Sequence, residues 1–180
     1  MKDWNVVVTA YAEGGRQVLR TLRRLGRAER SGHYNVFVAA VDDPMALLDA
    51  LEARASSEPV LIDVISRIAP AQIGFDYAGE EELERRVVEA AGPWLPRLAG
   101  KGFHVRIHRR GDGAGAGGTQ AEEARIGQLL LAELARAGTS GRIVFDDPDF
   151  ILSIDAVDGR AGLGLWSRQD LQGRRFLRPD

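Results

Sequence analysis

The 180-residue sequence contains no cysteine. That absence excludes disulfides, thiolate metal sites and a cysteine nucleophile together. Lysine is nearly missing too, occurring only at Lys2 and Lys101, so almost all positive charge is arginine. No apolar run approaches the ~20 residues needed to cross a bilayer. The sequence opens with Met1-Lys2-Asp3-Trp4 and passes straight into an apolar strand. It lacks the longer apolar stretch and small-residue cleavage site of a signal peptide, so a cytoplasmic location is expected.

The hydrophobic share of 44% and charged share of 28% are those of an ordinary globular chain. The length fits one compact domain or two small ones. The formal charge of −2 argues against a nucleic-acid binder if taken alone. The planar fork of arginine, however, suits phosphate oxygens. A GC-rich genome gives the same arginine bias, so composition does not decide.

Periodicity divides the chain in two. Asn5 to Tyr11 reads as a buried strand, because β-branched residues crowd a short run. Gln17 to Gly26 reads as a helix with Val18, Leu19, Leu22 and Leu25 on one face, and Arg16, Arg20, Arg23, Arg24 and Arg27 on the other. Ala28 to Val41 reads as a hairpin turning at Ser31-Gly32. Asp43-Pro44 opens a helix to about Ser56, and Val60 to Ile68 alternates as a strand. The order is β-α-β-β-α-β, which is ferredoxin-like. Ala69 to Gly79, with Pro70, Gly74 and Gly79, reads as a linker.

Beyond it, Glu80 to Leu98 is helical, with Leu83, Val87, Ala91, Trp94 and Leu98 in step and breaks at Gly92-Pro93 and Pro96. Phe103 to Arg110 is a strand, and Gly111 to Gly118 a glycine-rich loop. Thr119 is a plausible N-cap for a helix from Gln120 to about Ala137, with Ile126, Leu130 and Leu134 inward. Arg142 to Phe145, Phe150 to Val157 and Gly162 to Arg168 read as strands, the last two around an Asp158-Gly159 turn. The chain then ends in glycine and charge.

Strand FHVRIHRR is the most informative stretch. Alternation puts Phe103, Val105, Ile107 and Arg109 on one face and His104, Arg106, His108 and Arg110 on the other. The second face reads either as a phosphate-contacting surface or as the solvated side of a half-buried strand. His104 and His108 stand roughly 13 Å apart along a strand, too far for one metal ion. The glycine loop lacks the lysine of a Walker loop. A dinucleotide loop would need a parallel βαβ unit with an acidic residue after its second strand, and the pieces do not read as one. A variable surface loop, with backbone amides available to phosphate, is the expectation. DDPDF (Asp146 to Phe150) is faintly similar to the Asp/Asn-Pro-Pro-Phe/Tyr motif of amino-methyltransferases, but Asp-Asp-Pro is also ordinary turn chemistry. No nucleophile with its base, no metal and no cofactor is implied.

From Glu80 to Arg168 the sequence resembles a THUMP domain. The resemblance is carried by paired helices, the strand FHVRIHRRG, Ile126-Gly127 within AEEARIGQLLLAEL, and RIVFDDPDFILSIDAV. THUMP domains commonly follow a ferredoxin-like domain. SRIAP (Ser66 to Pro70) with Phe75 resembles the Arg-x-x-Pro junction of the branch that serves tRNA cytidine acetylation. The implied class is α+β, with a ferredoxin-like domain over residues 1–70 and a THUMP domain (α-α-β-α-β-β) over 71–180. The resemblance covers nearly the whole chain and leaves no residues for a catalytic domain, so no enzyme is expected. It implies a non-catalytic adaptor that binds tRNA near its acceptor stem and presents it to a partner RNA-modifying enzyme. The implied RNA-binding residues are Arg67, Arg106, His108, Arg109, Arg110, Arg125, Trp166 and Arg168. Arg125 would reach the same patch as the strand arginines, and Arg67 would sit where both domains share one RNA. Trp166 would either stack on a terminal base or pack in the core. A regulatory module that keeps the fold without RNA, and a metal-dependent hydrolase using Asp146, Asp147 and Asp149, are the alternatives.

Overall fold

A computed structural model describes residues 1–111 and 118–179. The class is α+β, as expected. The chain forms two compact units, one of residues 1–72 with 171–178, the other of residues 73–170 with 179–180.

The first unit runs β1 (Val6–Ala10), α1 (Gly15–Leu22), β2 (Arg27–Arg30), β3 (Val36–Ala40), α2 (Pro44–Ser57), α3 (Val60–Val64) and β4 (Ile65–Pro70). Its sheet order is β2-β3-β1-β4, antiparallel throughout, which is the ferredoxin-like arrangement. Val6, Val8, Phe37, Ala39 and Ile68 are fully buried, because the central strands are covered by α1 and α2 through Val18, Leu48 and Leu51. Asp43 caps α2 by accepting from the amides of Met45 at 2.8 Å and Ala46 at 3.0 Å, with Pro44 in the first turn.

Two expectations fail in this unit for local reasons. Val60 to Val64 is a short helix, not the start of a strand. Pro59 adopts helical angles, so Leu61 turns inward while Val60 and Ile62 face solvent, and the apparent alternation is broken. Nor is the C-terminal stretch mere glycine and charge. Phe176 and Leu177 are buried, and the Ile68 amide of β4 donates to the Phe176 carbonyl at 2.8 Å. The Phe176 amide donates to Glu52 at 2.7 Å. The tail therefore covers the edge of β4, an edge that would otherwise present unpaired backbone.

The second unit runs β5 (Ile73–Asp76), α4 (Glu80–Ala91), a 3-10 turn (Gly92–Trp94), α5 (Leu95–Leu98), β6 (Gly102–Arg110), α6 (Gly118–Arg136), β7 (Arg142–Ile143), β8 (Phe150–Val157), β9 (Arg160–Ser167) and α7 (Arg168–Gly173). The sheet order is β5-β9-β8-β6-β7. The expected linker thus contains a strand: Ile73 and Phe75 pack inward while Gly74 and Asp76 face out, and β5 pairs antiparallel with β9. Strand β6 runs parallel to both β7 and β8, so β6, α6 and β7 form the parallel βαβ unit that the sequence did not reveal. The glycine-rich loop ahead of α6 lies largely outside the described residues. Leu83, Val87, Ile126, Leu130 and Leu134 of the helices meet Phe103, Val105, Ile107, Leu152, Ile154 and Leu163 of the sheet in one core. Asp158 and Gly159 both have positive φ, 50° and 80°, as a two-residue primed turn requires. Among the described residues no helix is long and apolar enough to cross a membrane.

Truncating the tail's aromatic ring tests its place in the core. Phe176→Ala should destabilise the first unit by about 3 kcal/mol, the lower end for a buried phenylalanine, in urea unfolding. An unchanged midpoint would mean that the tail only drapes over the surface.

Candidate nucleic-acid interface

The interface grows from the unequal edges of β6. On one side β6 pairs with β8 from Phe103 to Arg110; on the other, β7 pairs only with Gly102 and Phe103. From His104 onward that second edge is left to α6. Glu123 of α6 accepts the Ile107 amide at 2.8 Å and also pairs with Arg106 at 3.4 Å. Gly127 lets α6 approach β7, since a Cβ there would already stand 3.2 Å from the Ile143 side chain. Between helix, strand edge and the segment after β7 lies a groove of about 520 Å³. His104, Arg106, Gln120, Glu123 and Gln128 supply its polar lining, with Val105, Ile143 and Phe145 its apolar part.

Phe145 is the residue that sequence reading missed. It was assigned to a strand, but β7 ends at Ile143, and Phe145 is 67% exposed. Its ring stacks on His104, with centroids 5.4 Å apart and planes 27° from parallel. His104 is itself buried, its Nδ1 2.8 Å from the Val144 carbonyl oxygen. An exposed ring held from behind by a second ring is a platform for a flat, unstacked base.

The residues expected to bind RNA separate into groups. Arg106, His108 and Arg110 follow one another along one face of β6, each partly exposed. Nε2 of His108 lies 2.6 Å from the Pro179 carbonyl oxygen. Arg110 lies at the far end of the strand, beside Tyr77, Glu80, Asp158 and Gly159. Arg109 is on the opposite face, buried against the helices, where it binds Glu122 and approaches Glu80 at 3.4 Å. It therefore presents no guanidinium to solvent. Arg125 lies on the flank of α6 toward α4, bonded to Glu84 at 2.6 Å, rather than beside Arg106. Trp166 is buried with its indole lying across Gly164, so its ring is occupied by packing. Arg168 is not on its strand but opens α7, paired with Asp147 at 2.6 Å and Asp149 at 3.6 Å. Arg67 belongs to the first unit, where it is nearly buried and donates to the Arg178 carbonyl of the tail.

The DDPDF segment is a turn, with Asp147 at φ 49°. Asp149 accepts the Gly102 amide at 2.8 Å, and that bond, helped by Arg168, holds its carboxyl below the usual range. Asp147 and Asp149 are thus engaged in fastening β6 and α7 to the turn that precedes β8. Among the described residues no group of three or more His, Cys, Asp or Glu side chains is placed to hold a metal ion.

No family model and no curated protein matches the sequence. Solved structures match by fold. TrmN from Thermus thermophilus is 16% identical with a TM-score of 0.58, over 89% of this chain and 44% of that one. A 4-thiouridine synthetase in complex with RNA and bound ATP is 18% identical with a TM-score of 0.55, over 91% and 41%. SMU.472, a putative methyltransferase complexed with SAH, is 17% identical with a TM-score of 0.52, over 92% and 41%. At this identity the likeness shows the fold alone, which this chain shares with part of each of those proteins. This chain spans less than half of each of those proteins. The expectation that the chain is no enzyme is overturned by the same finding. Its fold forms part of chains described as a synthetase and a methyltransferase, so occupying the whole sequence with this fold does not exclude catalysis.

The buried pair makes a separable prediction. Burial pushes the Glu122 carboxyl up, and the Arg109 guanidinium opposes the shift. Arg109→Ala should cost about 3–5 kcal/mol at neutral pH, because it strands a buried carboxylate. A raised carboxyl loses stability as pH rises through its folded pKa, so the deficit should shrink on mild acidification. Thermal melts of both proteins at two pH values check this. A deficit independent of pH would remove Glu122 as its cause.

Proposed function

We propose that this chain is the RNA-gripping part of a cytoplasmic tRNA-modifying enzyme system, and that it holds tRNA through the acceptor-stem region. The observation that carries the reading is the groove beside β6. It joins a stacking surface, Phe145 on His104, to a cation, Arg106, and to the amides of Gln120 and Gln128. Stacking takes a base of any sequence, amides bond base edges, and arginine takes the phosphate. Arg106, His108 and Arg110 then track the backbone along the strand. A base can enter such a groove only when unpaired, which favours an RNA terminus over the interior of a duplex. The fold shared with a synthetase solved in complex with RNA supports the same reading. The Ser66 to Pro70 resemblance favours cytidine acetylation as the chemistry served.

Binding of tRNA with intact and 3′-trimmed ends, measured across a salt series, tests the proposal. Trimming should weaken binding, and Phe145→Ala should weaken intact tRNA by about 5- to 150-fold, the value of ~1–3 kcal/mol for one base stacked on an aromatic. Arg106→Ala should lower the salt slope by about one. Equal affinity for intact and trimmed tRNA would sink the terminus reading.

A further inference from the structure

Five residues of the tail are held in the first unit much as a bound peptide is held by a receptor. Residues 174–178 read Arg-Arg-Phe-Leu-Arg, three positive charges around two apolar side chains. They meet α2 where Asp49 and Glu52, three residues apart, share one helix face. Arg174 pairs with Asp49 at 2.9 Å, and Arg175 with Glu52 at 3.6 Å. The other Glu52 oxygen accepts the Phe176 amide at 2.7 Å. Phe176 and Leu177 are buried, and the Phe176 carbonyl accepts from Ile68 of β4 at 2.8 Å. Arg67 of the same strand donates to the Arg178 carbonyl. Charge pairs, a seated ring and hydrogen bonds at a strand edge are the means by which an extended peptide is held against a sheet.

The connector to this segment is built differently. Helix α7 is six residues long and buries none of them. Its start is tied through Arg168 to Asp147 and Asp149, and through Asp170 to Ser167. Its last residue, Gly173, stands in open space, where a Cβ would meet nothing within 4 Å. A firmly seated segment on a sparsely packed connector favours exchange of that segment between two copies of a chain. Exchange recreates every contact of the seat and changes only the hinge. Beyond the segment the Pro179 carbonyl lies 2.6 Å from Nε2 of His108, one further hydrogen bond to be remade.

We propose that the groove between α2 and the β4 edge is also the docking site of a second copy of this chain, each copy seating residues 174–178 in the groove of the other. Every copy carries both the segment and its seat, so the exchange closes as a two-fold dimer and goes no further. Seating within one chain competes with seating across two, and the protein concentration against the effective concentration set by the connector decides between them. None of these residues lines the groove beside β6, so the dimer does not depend on RNA.

Charge reversal in the full chain tests the exchange. One variant carries Asp49→Arg with Glu52→Arg, the other Arg174→Glu with Arg175→Glu. Alone, each sets like charges between segment and groove, whether within one chain or between two. Refolded together, they restore both pairings only across chains. A one-to-one heterodimer should then form in on the order of tenfold excess over either homodimer, as read by native mass spectrometry. A chain with all four substitutions should fold as a monomer when dilute, because its reversed pairs match again. The heterodimer should survive high salt, since Phe176 must leave its seat before the copies part, whereas attraction between oppositely altered surfaces is screened. Wild-type chain refolded at rising concentration should give a rising share of the same persistent dimer. A mixture that stays monomeric, or a dimer that salt dissolves, would overturn the proposal. So would wild-type chain that is monomeric at every refolding concentration, whatever the variants do.

Discussion

Strand β6 satisfies its backbone along eight residues on one side and two on the other. A buried strand cannot leave amides and carbonyls unanswered. Glu123 answers for Ile107, and in doing so it fixes how near α6 can stand to the strand. The remaining gap is the groove. Because β7 stops at Ile143, the next residues leave the sheet, and Phe145 emerges beside the gap instead of continuing across it. Had β7 run as long as β8, the sheet would close over this edge, and neither cavity nor exposed ring would exist.

The arginines show why composition alone was silent. Arg109 and Arg110 are neighbours in sequence and opposites in role, one buried against Glu122, the other near solvent. Arg67 and Arg168 are engaged in holding chain segments together. Arg16 and Arg20 of α1 make no ion pair among the described residues, whereas Arg106 of β6 is paired with Glu123. A total near zero is compatible with a strong local field when the two signs occupy different faces.

Legibility in the sequence followed periodicity. Helices with a repeating apolar stripe, such as Glu80–Ala91 and Gly118–Arg136, were evident, and so were the Asp43-Pro44 start and the Asp158-Gly159 turn, because each has one local physical cause. What was hidden depends on partners far along the chain. Ile73–Asp76 is a strand only because β9 lies beside it. Val60 to Val64 alternates as a strand would, yet coils once Pro59 sets the backbone. Parallel pairing of β6 with β7 and β8 leaves no mark on any single residue. For the interface, the alternation of FHVRIHRR was readable and placed Arg109 on the apolar face with Phe103, Val105 and Ile107, and it was the family resemblance that grouped Arg109 with its exposed neighbours. Phe145 gave one weak signal, an aromatic placed directly before an Asp-Asp-Pro turn.

The return of residues 171–178 to the first unit makes that unit discontinuous along the chain, with residues 73–170 of the second unit inserted within it. During synthesis the β4 edge therefore waits. Residues 1–72 leave the ribosome early, but the segment that covers Ile68 and seats Phe176 arrives only after residues 73–170 have been made. Through that interval the nascent first unit carries an open strand edge, the kind of surface that chaperones recognise and that pairs with neighbouring chains. The inserted unit has no such dependence for its central sheet and is free to fold first. Maturation of the first unit is thus timed by the translation of the second.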